Sequence, residues 1–107
     1  MIEAEAIEAL AALAQSSRLR IFRTLVEAGP SGIAAGRIAE RLGIAPTSLS
    51  FHLKTLTHSG LIKSENAGRT IVYSADYRQM TGLMAYLSEN CCGGNPCSPM
   101  PAATKQP

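Results

Sequence analysis

Between Ala34 and Gly60 the sequence reads AAGRIAERLGIAPTSLSFHLKTLTHSG, and few folds accommodate it. Pro46 stands where the first residue of a helix belongs, a position where its missing N–H costs nothing and its fixed φ already suits the helix. From there Leu49, Leu53 and Leu56 recur at the four-and-three spacing that lines one helix face. Upstream, Ile38, Ala39 and Leu42 offer the facing surface of a shorter helix, Ala35 to Leu42. Gly43 between them supplies the left-handed residue that a sharp turn needs. The expected arrangement is two short helices joined by a tight turn, a helix-turn-helix.

At about 100° per residue, burying the three leucines turns Thr47, Phe51, Lys54, Thr55 and His58 outward, with Ser48, Ser50 and His52 on the flanks. A helix that merely meets water normally carries Glu and Lys pairs, yet Lys54 is the one formally charged residue between Pro46 and Gly60. Hydroxyls bond base edges or phosphates equally well, Lys54 can neutralise a phosphate or read guanine, and an outward Phe51 can meet a thymine methyl. The plain alternative puts Phe51 in the core and makes the hydroxyls an ordinary polar surface, so the exposure of Phe51 discriminates between the two.

Charge distribution agrees with a nucleic-acid surface in the middle of the chain. The formal net charge is only +2 over 107 residues, but from Ser16 to Arg78 nine bases face four acids, a local +5. Glu3, Glu5 and Glu8 stand near the start without a base among them. An acidic end and a basic middle are expected where only the middle meets phosphate. No apolar run of about 18 residues exists to span a bilayer, and the start lacks the basic and apolar stretches of a signal peptide. A cytoplasmic location is therefore expected. No nucleophile–base pattern or phosphate-binding loop appears, so an enzyme is not expected.

Around this motif the periodicity predicts three more helices and a hairpin. Ile2 to Gln15 reads as an amphipathic helix with Ile7, Leu10 and Leu13 or Ala14 on its apolar side. Ser16 or Ser17 is expected to cap a second helix, Arg18 to Ala28, with the stripe Ile21, Phe22, Leu25 and Val26, ended by Gly29 and Pro30. Ser31 to Ala34 reads as a connector. After Gly60 the period changes, and residues 61 to 65, a turn at Asn66-Ala67-Gly68, and residues 69 to 74 form a β-hairpin whose polar tip, with Arg69 beside it, can act as a wing. Asp76 is expected to cap a last helix from Tyr77 to Glu89 or Asn90, with Met80, Leu83, Met84 and Leu87 in register. One apolar helix at each end is more than so small a core consumes, which implies a homodimer joined through both. The fold class is mainly α with a small β-hairpin. Residues 1–90 form the DNA-binding and dimerisation domain, and 91–107 a cysteine-containing tail.

All three cysteines, Cys91, Cys92 and Cys97, lie in that tail. An odd number so clustered, with none in the body, is not a secreted disulfide framework. Gly93, Gly94 and the Asn95-Pro96 step let the chain turn back, so that three soft thiolates can converge. The usual histidine of a closed zinc site is missing nearby. Soft sulfur donors suit a thiophilic ion, and trivalent arsenic or antimony, taking three sulfurs, fits best. Zn²⁺ or Cd²⁺ binding, a thiol switch pairing Cys97 with one of the other two, and a functionless tail remain open alternatives.

These residues resemble a known family. SSRLRIFRTL, LSFHLKTLTHSGLI, the wing residues AGRTIVYS and the ending YLSENCCGGNPC are similar to the ArsR-type winged-helix repressors, over about Ile7 to Cys97, and the cysteine ending resembles their arsenic-sensing branch. The resemblance implies a homodimer of winged helix-turn-helix subunits that occupies double-stranded operator DNA until an inducer binds. It implies no organic cofactor, As(III) or Sb(III) as inducer on Cys91, Cys92 and Cys97, and DNA contacts from Thr47, Ser48, Ser50, Phe51, His52, Lys54, Thr55 and Arg69. A repressor of the same fold responding to thiol oxidation or to Cd or Zn is the alternative. The helical projection departs from the likeness at Ser50 and His52, which it leaves on the flanks. Ala35 to Gly43 holds no cysteine and the last helix no histidine, so the patterns of two other metal-sensing branches do not fit.

Overall fold

The computed structural model describes residues 1–94. Five helices run α1 (Glu3–Leu13), α2 (Ser16–Ala28), α3 (Ala35–Leu42), α4 (Pro46–His58) and α5 (Tyr77–Ser88). Three strands, β1 (Ile33–Ala34), β2 (Ile62–Ala67) and β3 (Thr70–Ala75), form one antiparallel sheet in the order β1-β3-β2. The single core joins Ile21 and Leu25 of α2, Ile38 of α3, Leu49, Leu53 and Leu56 of α4, and Leu61, Ile62 and Ala75 from the root of the hairpin. Helices α1, α2 and α3 and strand β2 all pack against α4, which the core grips by its leucine face.

Four local expectations are corrected. The face of α1 that packs is Ala6, Ala9 and Ala12, while Ile7 stays 58% exposed and Leu10 lies outside the core. Small methyl groups let α1 lie close on α2 and α4, and the larger residues are left for another surface. The cap of α2 is Gln15, not a serine. Its side-chain oxygen accepts from the amide of Arg18 at 2.8 Å, and Ser16 is already helical. The connector before α3 contains a strand, since Ile33 and Ala34 pair with Tyr73 and Val72. Finally, the register Ala67↔Thr70 puts the hairpin turn at Gly68–Arg69. Gly68 has φ 73°, as a two-residue hairpin turn with glycine first requires, and Arg69 is at the tip itself.

The helix ends show how their free backbone groups are met. Arg18 donates from Nε to the Ala12 carbonyl at 2.6 Å, closing α1 onto α2. The Tyr77 hydroxyl at the start of α5 donates to the Val26 carbonyl at 2.9 Å, satisfying the end of α2. Asp76 caps α5 as expected, accepting from the Gln79 amide at 3.1 Å. Beyond Leu83, however, α5 buries little: Met84 is 60% and Leu87 59% exposed.

Gly32 holds β1 in place. Its φ is +75°, and a Cβ there would overlap the Tyr73 carbonyl. Gly32→Ala is expected to cost between about 1 and 3 kcal/mol, read as a lowered urea midpoint at unchanged slope. An unchanged midpoint would show that β1 does not need this close approach.

Candidate nucleic-acid interface

The outward face of α4 is built by the inward one. Leu49, Leu53 and Leu56 are each at most 3% exposed, so the helix cannot rotate without unburying them. Pro46 starts the helix after Ala45, an N-cap with no side-chain bond. At the other end the Ser59 hydroxyl donates to the Leu56 carbonyl at 2.7 Å and Gly60 (φ 85°) turns the chain into the hairpin.

On that frame Thr47, Ser48, Ser50 and Lys54 are exposed, and Phe51 is 64% exposed. Phe51 is not a core residue. Two of the sequence-derived site residues are less free. Thr55 is half-buried, and its hydroxyl donates to the Phe51 carbonyl at 3.2 Å. His52 is half-buried on the flank, as the projection had it, with its ring edge toward Phe51 at 6.0 Å between centroids. Its Nδ1 is buried without a hydrogen-bond partner among the described residues. An N–H at Nδ1 would be costly to leave unpaired there, so the proton of the neutral ring belongs on Nε2.

The wing comes back to the same surface. Arg69, Thr70 and Ile71 line one hollow of about 420 Å³ together with Pro46, Leu49 and Ser50 of α4. The structure therefore brings Arg69 to the N-terminal half of α4. Two further residues were not found from the sequence. Ser64 and Tyr73 are directly paired across β2 and β3, so their side chains share a face. Both line a groove with α4. Placing the turn at Gly68–Arg69 would have exposed that pairing, because the register follows from the turn.

The cysteines occupy a separate place. The last helix ends at Ser88 and its C-cap Glu89 is extended (ψ 128°), so the helix stops before the cysteines rather than after them, and Cys91–Gly94 is a short turn with left-handed Cys92 (φ 58°) and Gly93 (φ 67°). Cys91 is an exposed free thiol, whereas Cys92, exposed beside it, is disulfide-bonded. Cys97 lies outside the described residues. Among the described residues no group of three or more His, Cys, Asp or Glu side chains is gathered for a metal ion. None of the described helices is long and apolar enough to cross a membrane.

Comparison with known proteins gives the lineage. Residues 13–65 match the helix-turn-helix domain family. The chain is 30% identical to NolR from Sinorhizobium fredii, covering 80% of this chain and 83% of that one with a TM-score of 0.65. An ArsR-like transcriptional regulator from Rhodococcus sp. RHA1 superposes with a TM-score of 0.72 at 29% identity, over 79% of this chain and 77% of that one. The chain belongs to the ArsR-like family of helix-turn-helix transcriptional regulators. The HTH-type transcriptional regulator NmtR of Mycobacterium tuberculosis is 38% identical over 71 residues, 66% of this chain and 57% of that protein. The chain spans between 57 and 63% of the length of the curated relatives it matches.

This ArsR-like chain separates the two faces of α4 cleanly enough to test. Leu53→Ala is expected to destabilise by about 2–5 kcal/mol, whereas Phe51→Ala changes stability by no more than about 0.5 kcal/mol. Equal losses in chemical denaturation would place Phe51 in the core after all.

Proposed function

We propose that the chain is a DNA-binding transcriptional repressor, released from its operator by trivalent arsenic or antimony held by Cys91, Cys92 and Cys97. The observation that carries the DNA half is the outward face of α4. A hydroxyl-rich surface with an exposed phenylalanine and one lysine, flanked by the Arg69 tip of the wing, suits base edges and backbone phosphates. Thr47, Ser48, Ser50, Phe51 and Lys54 meet the DNA, His52 contributes from the flank through Nε2, and Thr55, with its hydroxyl engaged, contributes mainly its methyl.

The sensing half rests on donor chemistry. Cys91 is a free thiol, Cys92 beside it becomes a second sulfur donor once its disulfide is reduced, and Cys97, six residues beyond Cys91, supplies the third in the sequence. Soft thiolates favour thiophilic ions over the hard cations that carboxylates hold. The cysteine turn follows on α5, and we assign its exposed Met84 and Leu87, with the exposed Ile7 of the neighbouring α1, to one apolar surface. That surface serves homodimerisation, which places the two α4 helices about one helical turn of DNA apart. Inducer closing the turn alters how α5 packs in the dimer and moves the α4 helices off register. Coupling of this kind typically weakens operator binding by about 5–150-fold, and by linkage the operator weakens inducer binding equally.

Reduced protein titrated with arsenite under anaerobic conditions, on a fluorescent fragment of its own upstream DNA, tests the reading. Release is expected from the wild type and not from a variant with Cys91, Cys92 and Cys97 all replaced by serine. Binding that arsenite leaves untouched would transfer sensing to oxidation or to Cd or Zn, and no binding at all would remove the repressor. Dimerisation is tested separately by sedimentation equilibrium, where Leu87→Asp is expected to shift a wild-type dimer to monomer at micromolar concentration. A wild type already monomeric there would overturn it.

A further inference from the structure

The groove between α4 and the wing is lined by Ser50, Lys54, Thr57 and His58 from the helix and by Ser64 and Tyr73 from the strands, and encloses about 610 Å³. Each of these six side chains can donate a hydrogen bond, and none is a carboxylate. The four hydroxyls among them are also uncommitted. On the same helix the hydroxyls of Thr55 and Ser59 are spent on backbone carbonyls. Those of Ser50, Thr57, Ser64 and Tyr73 make no hydrogen bond among the described residues.

Donors converging from two elements on one open channel fit a partner made of acceptors. The edges of bases in the major groove mix donors with acceptors, whereas the oxygens of a phosphodiester only accept. We infer that this groove seats one sugar-phosphate strand of the DNA, with Thr57, His58, Ser64 and Tyr73 as phosphate contacts that position the duplex without reading it. The inference rests on the DNA-binding reading above and deepens it.

His58 has a second neighbour that makes the seat self-screening. On the other side of α4 its Nε2 lies 3.2 Å from Oε2 of Glu8 in α1. Glu8, Lys54 and His58 line a cleft there with Arg18, so His58 stands on a ridge between that cleft and the groove. The Glu8 carboxylate occupies the donor that a phosphate would take, and its charge opposes the incoming anion. A phosphate that takes the same Nε2 donor therefore competes with Glu8.

Anisotropy titrations of the full chain at several salt concentrations test this, on the upstream fragment and on a base-shuffled fragment of equal length. Circular dichroism melts confirm that each variant folds. Thr57→Ala, Ser64→Ala and Tyr73→Phe are each expected to weaken both DNAs by the same factor, about 3–10-fold, leaving their ratio unchanged. Glu8→Gln is expected to tighten both by about 2–5-fold, a gain that disappears when His58→Gln is added. Wild-type affinity in the three hydroxyl variants would overturn the seat, as would losses confined to the upstream fragment, which would make these residues base readers. A Glu8→Gln gain that persists without His58 would overturn the competition. Wild type that binds neither fragment removes the DNA reading and this one with it, whereas the other failures leave the repressor standing.

Discussion

Everything in this molecule depends on three leucines being out of water at once. Leu49, Leu53 and Leu56 occupy one line along α4, and their burial against Ile38, Ile21, Leu25 and Leu61 fixes both the position and the rotation of the helix. Burying a leucine contributes about 1.5–3 kcal/mol, so turning α4 by a third of a revolution would forfeit most of a small domain's net stability. The outward residues are thereby held in one presentation, although few of them form any bond that would hold them there. Pre-organisation of the polar face is a by-product of packing the apolar one.

The same logic explains what the sequence disclosed and what it hid. Pro46, the leucine spacing, Gly43 and the Asp76 cap are local signals, each tied to one backbone geometry, and the structure has each where the sequence put it. β1 was illegible because a two-residue strand has no period, and its existence depends on Tyr73, forty residues away, approaching Gly32. The hairpin was legible, but its register was not. Asn66, Ala67 and Gly68 all favour turns, and only the pairing of Ala67 with Thr70 selects Gly68–Arg69. That shift moved Arg69 to the tip and placed Ser64 opposite Tyr73.

The first helix was misread for a physical reason. Hydrophobic periodicity weights large side chains, so Ile7 and Leu10 outvoted the alanines, whereas close approach between helices favours the small residue. A similar limit applies at the other end, where Met80, Leu83, Met84 and Leu87 have the spacing of one face but only Leu83 is buried. Periodicity reports that a face is apolar and not whether its own subunit covers it. At His52 the limit is finer still: its flank position followed from geometry, but the burial of one ring nitrogen depends on neighbours that no sequence pattern names.

The alanine seam of α1 has a mechanical meaning. A methyl group offers little area and no interlocking shape, so the seam resists sliding far less than interdigitated leucines would. With its bulkier residues turned outward, α1 is fastened lightly to its own body and offers its stronger grip to whatever covers Ile7 and Leu10. Glu8 carries the contact of this helix with His58 at the end of α4, so a shift of α1 along its smooth seam would be felt there first.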